Sequence, residues 1–152
     1  MQLNAGRLPI EDGIEVISVG VSFLRFLEIA DFIQTKIAVV TDNDGDMEAI
    51  KKKYKNYMGE NQNDYIKICV DNIVDTGTLK IGESGYNYNT LEPKLLKVNG
   101  MEKLNRILGT DYMEEDDLRK YMKHNKTECG LKIFESSEDI EIPEYILEAI
   151  RW

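Results

Sequence analysis

Residues 36–41, Lys-Ile-Ala-Val-Val-Thr, are apolar at successive positions, and they run directly into Asp42-Asn43-Asp44-Gly45-Asp46. A strand that is apolar on both faces belongs in a parallel sheet covered by helices, whereas a half-solvated antiparallel strand alternates. Two further runs of this kind, residues 14–20 (IEVISVG) and 65–70 (YIKICV), flank it. Helical patterns lie between them. Over residues 22–34, Phe23, Phe26, Leu27 and Ala30 follow the i, i+3, i+4, i+7 spacing, with Ser22 as a candidate N-cap. Over residues 46–58, Met47, Ile50, Tyr54 and Tyr57 make one stripe and lysines the other. Strand, helix, strand, helix, strand with tight connections predicts a three-stranded parallel sheet built by βαβ crossovers.

The pattern changes after Val70. Residues 71–89 carry Gly77, Gly82, Gly85 and three asparagines, a long excursion with room for a short hairpin around TGTLKIG. Helical segments are expected at about 91–98, 101–108, 114–124, 127–135 and 143–151, punctuated by Gly100, Gly109 and Pro143. The expected fold class is therefore α/β. A small parallel sheet flanked by helices (residues 1–90) is followed by a helical C-terminal part (residues 91–152) packed on it.

Composition narrows the chemistry. The 152 residues include 19 Lys and Arg against 28 Asp and Glu, a formal charge of −9. A surface of that sign does not coat DNA, so any nucleic-acid contact is local or bridged by cations. His124 is the single histidine, which weakens triads and multi-histidine metal sites. Cys69 and Cys129 make no disulfide framework, which points to a reducing cytoplasm. Both read as small buried hydrophobes rather than nucleophiles. No stretch approaches the ~18 apolar residues of a membrane span, and MQLNAGRLPIEDG lacks the apolar core of a signal peptide. The lysines at 51, 52, 53 and 55 read as a solvated helix face, and His124 as a helix-end group.

The chemistry concentrates in Asp42, Asp44 and Asp46, where a buried strand ends and a helix begins. Ligands of open parallel sheets bind outside the carboxyl ends of the strands. Residues two apart in an extended chain project the same way, so Asp42 and Asp44 are expected to face that crevice together. Clustered carboxylates resist ionising, and a divalent cation removes the conflict. Oxygen ligation without histidine suits Mg²⁺, Mn²⁺ or Ca²⁺ better than zinc. The same residues also fit an acidic turn with helix N-terminal charge. An EF-hand fails, because its sixth and twelfth positions, counted from Asp42, are Met47 and Lys53. A dehalogenase-type phosphatase with Asp42 as nucleophile stays open, although Gly45-Asp46 departs from its usual continuation.

Several segments together are more specific. GIEVISVG, SFLRFLEIADF and KIAVVTDNDGD resemble, in that order, the Toprim portion of the OLD (overcoming lysogenization defect) family. These are ATP-dependent endonuclease-like proteins, and the Gabija antiphage nuclease subunit is similar. NTLEPKLLKVN (89–99), NKTECGLKIF (125–134) and IEIPEYILEAI (140–150) extend the likeness over roughly residues 10–152. The resemblance implies metal-dependent phosphodiester hydrolysis of DNA in an intact parent, with phage defence or DNA processing as its setting. It matches Asp42, Asp44, Asp46 and Glu92 to metal ligands, and Lys126 to a lysine serving catalysis or phosphate contact. Two Mg²⁺ or Mn²⁺ ions ~4 Å apart would stabilise attacking and leaving oxygens.

The resemblance has a gap. Such nucleases carry a glutamate after a first strand, in a segment like VEG, and that strand is expected upstream of residue 10. Glu11, Glu15 and Glu28 occupy the wrong segments to replace it, and Val21 stands where a second glycine is usual. The expectation is an N-terminally truncated Toprim core, inactive alone. It would leave an open edge and uncovered apolar surface, favouring a homo-oligomer or completion by the missing segment. A non-catalytic interaction module with the same fold is the alternative.

Overall fold

A computed structural model describes residues 9–20, 23–76, 80–81, 84–85 and 87–152. Its α/β part centres on two parallel strands, β1 (Ile37–Thr41) and β2 (Ile66–Val70), in register from Ile37 opposite Ile66 to Thr41 opposite Val70. Helix α1 (Leu24–Phe32) precedes β1, and α2 (Met47–Lys53) joins the two strands, so β1–α2–β2 is a βαβ unit.

The pleat explains the two-sided apolar sequence. Ile37 and Val39 share one face with Ile66, Ile68 and Val70, and this face packs on Phe23, Leu27, Ala30, Ile50, Tyr54 and Tyr57. The opposite face carries Lys67 and Cys69. It is met by the last helix, α7 (Glu144–Arg151), where Glu148 pairs with Lys67 at 3.0 Å. A helix from the end of the chain thus covers part of the second side of the sheet and leaves Val40 exposed.

Between β2 and α7 the chain forms a short antiparallel pair, β3 (Lys80–Ile81) with β4 (Ser84–Gly85), within the expected hairpin region. Four helices follow: α3 (Leu91–Asn99), α4 (Met101–Leu108), α5 (Glu115–His124) and α6 (Lys126–Glu135). They bury a second core of Leu95, Leu96, Leu104, Leu108, Leu118, Met122 and Cys129. No helix among the described residues is long and apolar enough to cross a membrane.

Two expectations are corrected. Residues 14–19 are irregular rather than a strand, and their side chains are exposed, Val16 at 76%. Strand propensity builds no ladder unless a neighbour takes the backbone groups, and among the described residues none pairs with this segment. The sheet therefore has two described strands, not three. Phe26 also leaves the expected buried stripe. It lies exposed with Ile29 and Phe32, while Phe23, Leu27 and Ala30 turn inward. The Ser22 cap falls outside the described residues.

The lysine run behaves as a solvated face, except that the Lys53 ammonium sits 5.1 Å from the ring centroids of both Phe23 and Tyr54. Tyr54 is fully buried, and among the described residues its hydroxyl has no hydrogen-bond partner. A buried unsatisfied hydroxyl costs about 1–3 kcal/mol, and removing it without disturbing the ring recovers part of that cost. Tyr54→Phe is therefore expected to raise the urea midpoint, with a gain of about 1 kcal/mol. A loss of stability would show that the hydroxyl has a partner.

Candidate functional site

The site begins where β1 ends. Asp42 leaves the strand, and the chain then reverses through Asn43-Asp44-Gly45-Asp46, closed by the Asp46 N–H donating to the Asn43 carbonyl at 2.8 Å. Both central residues have positive φ, 50° at Asp44 and 83° at Gly45. Such turns favour Asp-Gly at their centre. Gly45 has a second reason to be glycine, since a Cβ there would lie 3.3 Å from Asn89 Nδ2. The turn corrects one premise. Asp42 and Asp44 are not two apart in extended chain, and their proximity comes from the reversal.

Asn43 holds the turn in place. It is buried, donates through Nδ2 to the carbonyls of Asp71 (2.6 Å) and Ile73 (3.0 Å), and accepts from the Gly45 N–H at 2.9 Å. The exit of β1 is thereby tied to the exit of β2. A second buried amide, Asn89, donates to the Asp75 carbonyl (3.0 Å) and accepts from the Asp75 N–H (2.7 Å), joining the same segment to the start of α3. The buried Lys94 ammonium on α3 completes the fastening, 2.6 Å from Asp71 and 2.7 Å from Asp75.

This scaffold brings Glu92, in the first turn of α3, into electrostatic reach of Asp42. The two carboxylates have opposite environments. Burial pushes Asp42 above the ordinary carboxylate range, and the charges of Asp44 and Glu92 push the same way. Donation from the Tyr145 hydroxyl (3.0 Å to Oδ1) and from the Leu91 N–H only partly offsets this. Burial also raises Glu92. There the Lys126 ammonium, 2.7 Å from Oε1, and the Thr90 hydroxyl, 3.1 Å from Oε2, outweigh it and hold the group below its usual value. Tyr145 is buried on α7, and burial together with the Asp42 charge keeps its phenol protonated.

Of the five expected site residues, Asp42, Asp44, Glu92 and Lys126 therefore gather at one rim. Asp46 does not face it: its carboxylate caps α2, accepting from the Ala49 N–H at 2.9 Å. Here the acidic-turn reading describes the residue. Asp44 accepts from Asn87 Nδ2 at 3.1 Å. Each of these acids thus accepts a hydrogen bond from within the chain. Among the described residues no three Asp, Glu, His or Cys side chains are arranged to hold a metal ion. The donor chemistry suits Mg²⁺ or Mn²⁺, but the acids as they stand do not close on one.

Sequence reasoning missed Tyr145, Asn43, Asn89, Lys94, Asp71 and Asp75. Asp71 had a signal, being the acid directly after the second parallel strand, at the same sheet end as Asp42. Asn43 had a weaker one, an Asx residue opening a turn. Tyr145 had none, because only the tertiary return of α7 brings it to Asp42. His124 plays the expected helix-end part, with Nδ1 2.7 Å from the Lys120 carbonyl oxygen. Comparison of the chain with family models, curated proteins and solved structures finds no match.

Hydrogen bonds and charge from Lys94 and Lys97 hold Asp75 below the ordinary carboxylate range. Its contribution to stability is complete above the unfolded aspartate value of about 4 and is lost as pH falls through the depressed folded value. Burial lowers Lys94, but Asp71 and Asp75 outweigh it and raise the group, so the lysine side persists across neutral pH. Lys94→Met is expected to lower the urea midpoint most near about pH 7, with the difference closing below about pH 4. A difference independent of pH would place the loss in packing alone.

Proposed function

We propose that this rim belongs to the DNA-cleaving centre of a Toprim-type domain in an OLD-like endonuclease parent. Hydrolysis there would depend on Mg²⁺ or Mn²⁺, in phage defence or DNA processing. The observation that carries the reading is the meeting of Asp42 and Glu92, fifty residues apart, with Lys126 at the carboxyl end of a parallel strand. Core packing does not call for a half-buried carboxylate whose ionisation is resisted by burial and by neighbouring acids, and such groups concentrate at functional sites. The setting proposed is the cytoplasm, supported by two buried free thiols, Cys69 and Cys129.

Because the acids do not close on a cation, the reading concerns an assembly in which a further segment supplies what this rim lacks. The chain alone is expected to leave supercoiled DNA intact in Mg²⁺ or Mn²⁺. Joined to a segment that carries the first Toprim strand and its glutamate, it is expected to nick, and Asp42→Ala is expected to abolish nicking. An inactive joined form, or one indifferent to Asp42→Ala, rejects the nuclease.

A specific observation favours a second reading, an interaction module that keeps the fold without the chemistry. Ile14, Val16, Ile17, Val19, Phe26, Ile29, Phe32 and Ile33 are all exposed, Phe32 at 89%. Exposed apolar residues that cluster on one surface mark an interaction site. Either reading makes the surface an interface, with a second copy or with the segment that completes the sheet. At micromolar concentration the chain is expected to run as a dimer or larger in light scattering. The Phe26→Glu, Phe32→Glu double variant is expected to be monomeric with its circular dichroism unchanged. A monomeric parent removes self-association.

A further inference from the structure

Helix α7 lies on the strand face beside Asp42, yet no residue of it belongs to either hydrophobic core of the described residues. Tyr145 is its one buried residue, Ile146 and Leu147 are half-buried, and Ile150 is exposed. The specific contacts that fasten it are polar. The Tyr145 hydroxyl donates to Asp42 at 3.0 Å, the Glu148 carboxylate meets the Lys67 ammonium at 3.0 Å, and just past the helix the Lys36 ammonium stands 5.2 Å from the Trp152 ring centroid. The Glu148 end is wet. Its side chain is 48% exposed, and a half-open cavity of about 110 Å³, lined by Tyr57, Met58, Gln62, Lys67 and Glu148, lies against the pair.

The connector ahead of α7 is held more firmly. Asn99, at the end of α3, exchanges two hydrogen bonds of 2.8 Å with the Glu141 backbone. Arg106 on α4 grips the Glu138 carboxylate through Nε (3.1 Å) and Nη2 (3.0 Å), and Ile140 packs on the second core. Residues 138–141 therefore move with the helical part, and the pivot for α7 lies between Glu141 and Glu144.

We propose that α7 is a releasable cover of the strand end, leaving the sheet while both cores stay folded. Water replaces an exposed ion pair or a single hydrogen bond at small cost, and elements with few buried apolar contacts open well below the free energy of global unfolding. Eight residues do not hold a helix alone in water, so release also unwinds α7. Opening withdraws the Tyr145 hydroxyl from Asp42 and wets the face of β2 that carries Lys67 and Cys69. The position of α7 thus decides whether Asp42 is covered, whatever the rim acts on.

Cys69 reports the opening. It lies on the face that α7 meets, at 0% exposure, and burial followed by the nearby Glu148 charge holds its thiol above the usual range. Cys129 sits in the second core and serves as the control. The experiment is alkylation of the native full chain by iodoacetamide, each cysteine followed by peptide mass spectrometry and each rate divided by that of the same form unfolded in urea. Where closing outpaces alkylation, this ratio is the open population. Cys69 is expected to react faster than Cys129, and its rate to rise less steeply with low urea, because less surface is exposed in its opening. Glu148→Lys exchanges an attraction for a repulsion of surface ion-pair size and is expected to speed Cys69 about tenfold at low salt, Glu148→Gln about threefold, with Cys129 unchanged in both. Adding Lys67→Glu to Glu148→Lys is expected to restore the parent rate. Equal rates and equal urea dependence at the two thiols would mean that α7 leaves only when the whole chain unfolds, and overturn the inference. So would variants that speed both thiols equally, variants that leave Cys69 unchanged, or a charge swap that restores nothing.

Discussion

The side-chain amide of Asn43 is the interaction on which the strand end depends. A two-stranded parallel sheet offers no hydrogen bonds beyond its last ladder residues, so β1 and β2 are free to splay once they end at Thr41 and Val70. Asn43 prevents this by donating to two carbonyls on the β2 exit while accepting from the turn that follows β1. An amide is the side chain that suits all three bonds, since it carries two donors and an acceptor on one planar group. An aspartate there would place charge against two carbonyl oxygens, and an aliphatic residue would leave them unpaired. The acids on either side of Asn43 take their positions from the turn it stabilises.

Fixing that turn concentrates negative charge, and the molecule handles the charge unequally. Lys94 reaches in from α3 to neutralise Asp71 and Asp75, and Lys126 reaches from α6 to Glu92. Among the described residues Asp42 receives only neutral donors. Hydrogen bonds favour its ionised form but do not cancel the field of Asp44 and Glu92, and burial removes the water that would. The result is one carboxylate under electrostatic stress, surrounded by pairs that are relieved. Stability alone would favour an asparagine at position 42, and the retained charge is what sets the rim apart from the purely structural pairs behind it.

Much of this architecture is legible from the sequence. Helices α3 and α4 are legible because glycines stop them, at Gly100 and Gly109, and α7 because Pro143 stands at its start. Strands β1 and β2 are legible because one face packs on α1 and α2 and the other meets α7, although Val40 on that second face stays exposed. Residues 14–19 mislead for the same reason. Their side chains have the right propensity, but a ladder is a property of two segments, and one segment's composition does not contain its partner. Within the site, Asp42 and Asp44 are legible as a motif, yet their relative placement is not. It depends on positive φ at a non-glycine residue, Asp44, which is tolerated because a type I′-like reversal is held by Asn43.

Tyr145 shows where sequence reasoning stops, and it gives the C-terminal helices a purpose beyond packing. An i, i+3, i+4 pattern in residues 144–151 announces an amphipathic helix but not which surface it will cover. Once α7 lies across β1 and β2, with Glu148 on Lys67 anchoring it, the register of that contact brings Tyr145 to Asp42, 103 positions away in sequence. Helix α6 enters similarly, presenting Lys126 at its first turn to Glu92 on α3. The strand end contributes the charges, and the helical part contributes the groups that orient or neutralise them. The described residues form two hydrophobic cores, and the candidate rim draws on both, so a change that loosens the helical part reaches the acids without touching the sheet.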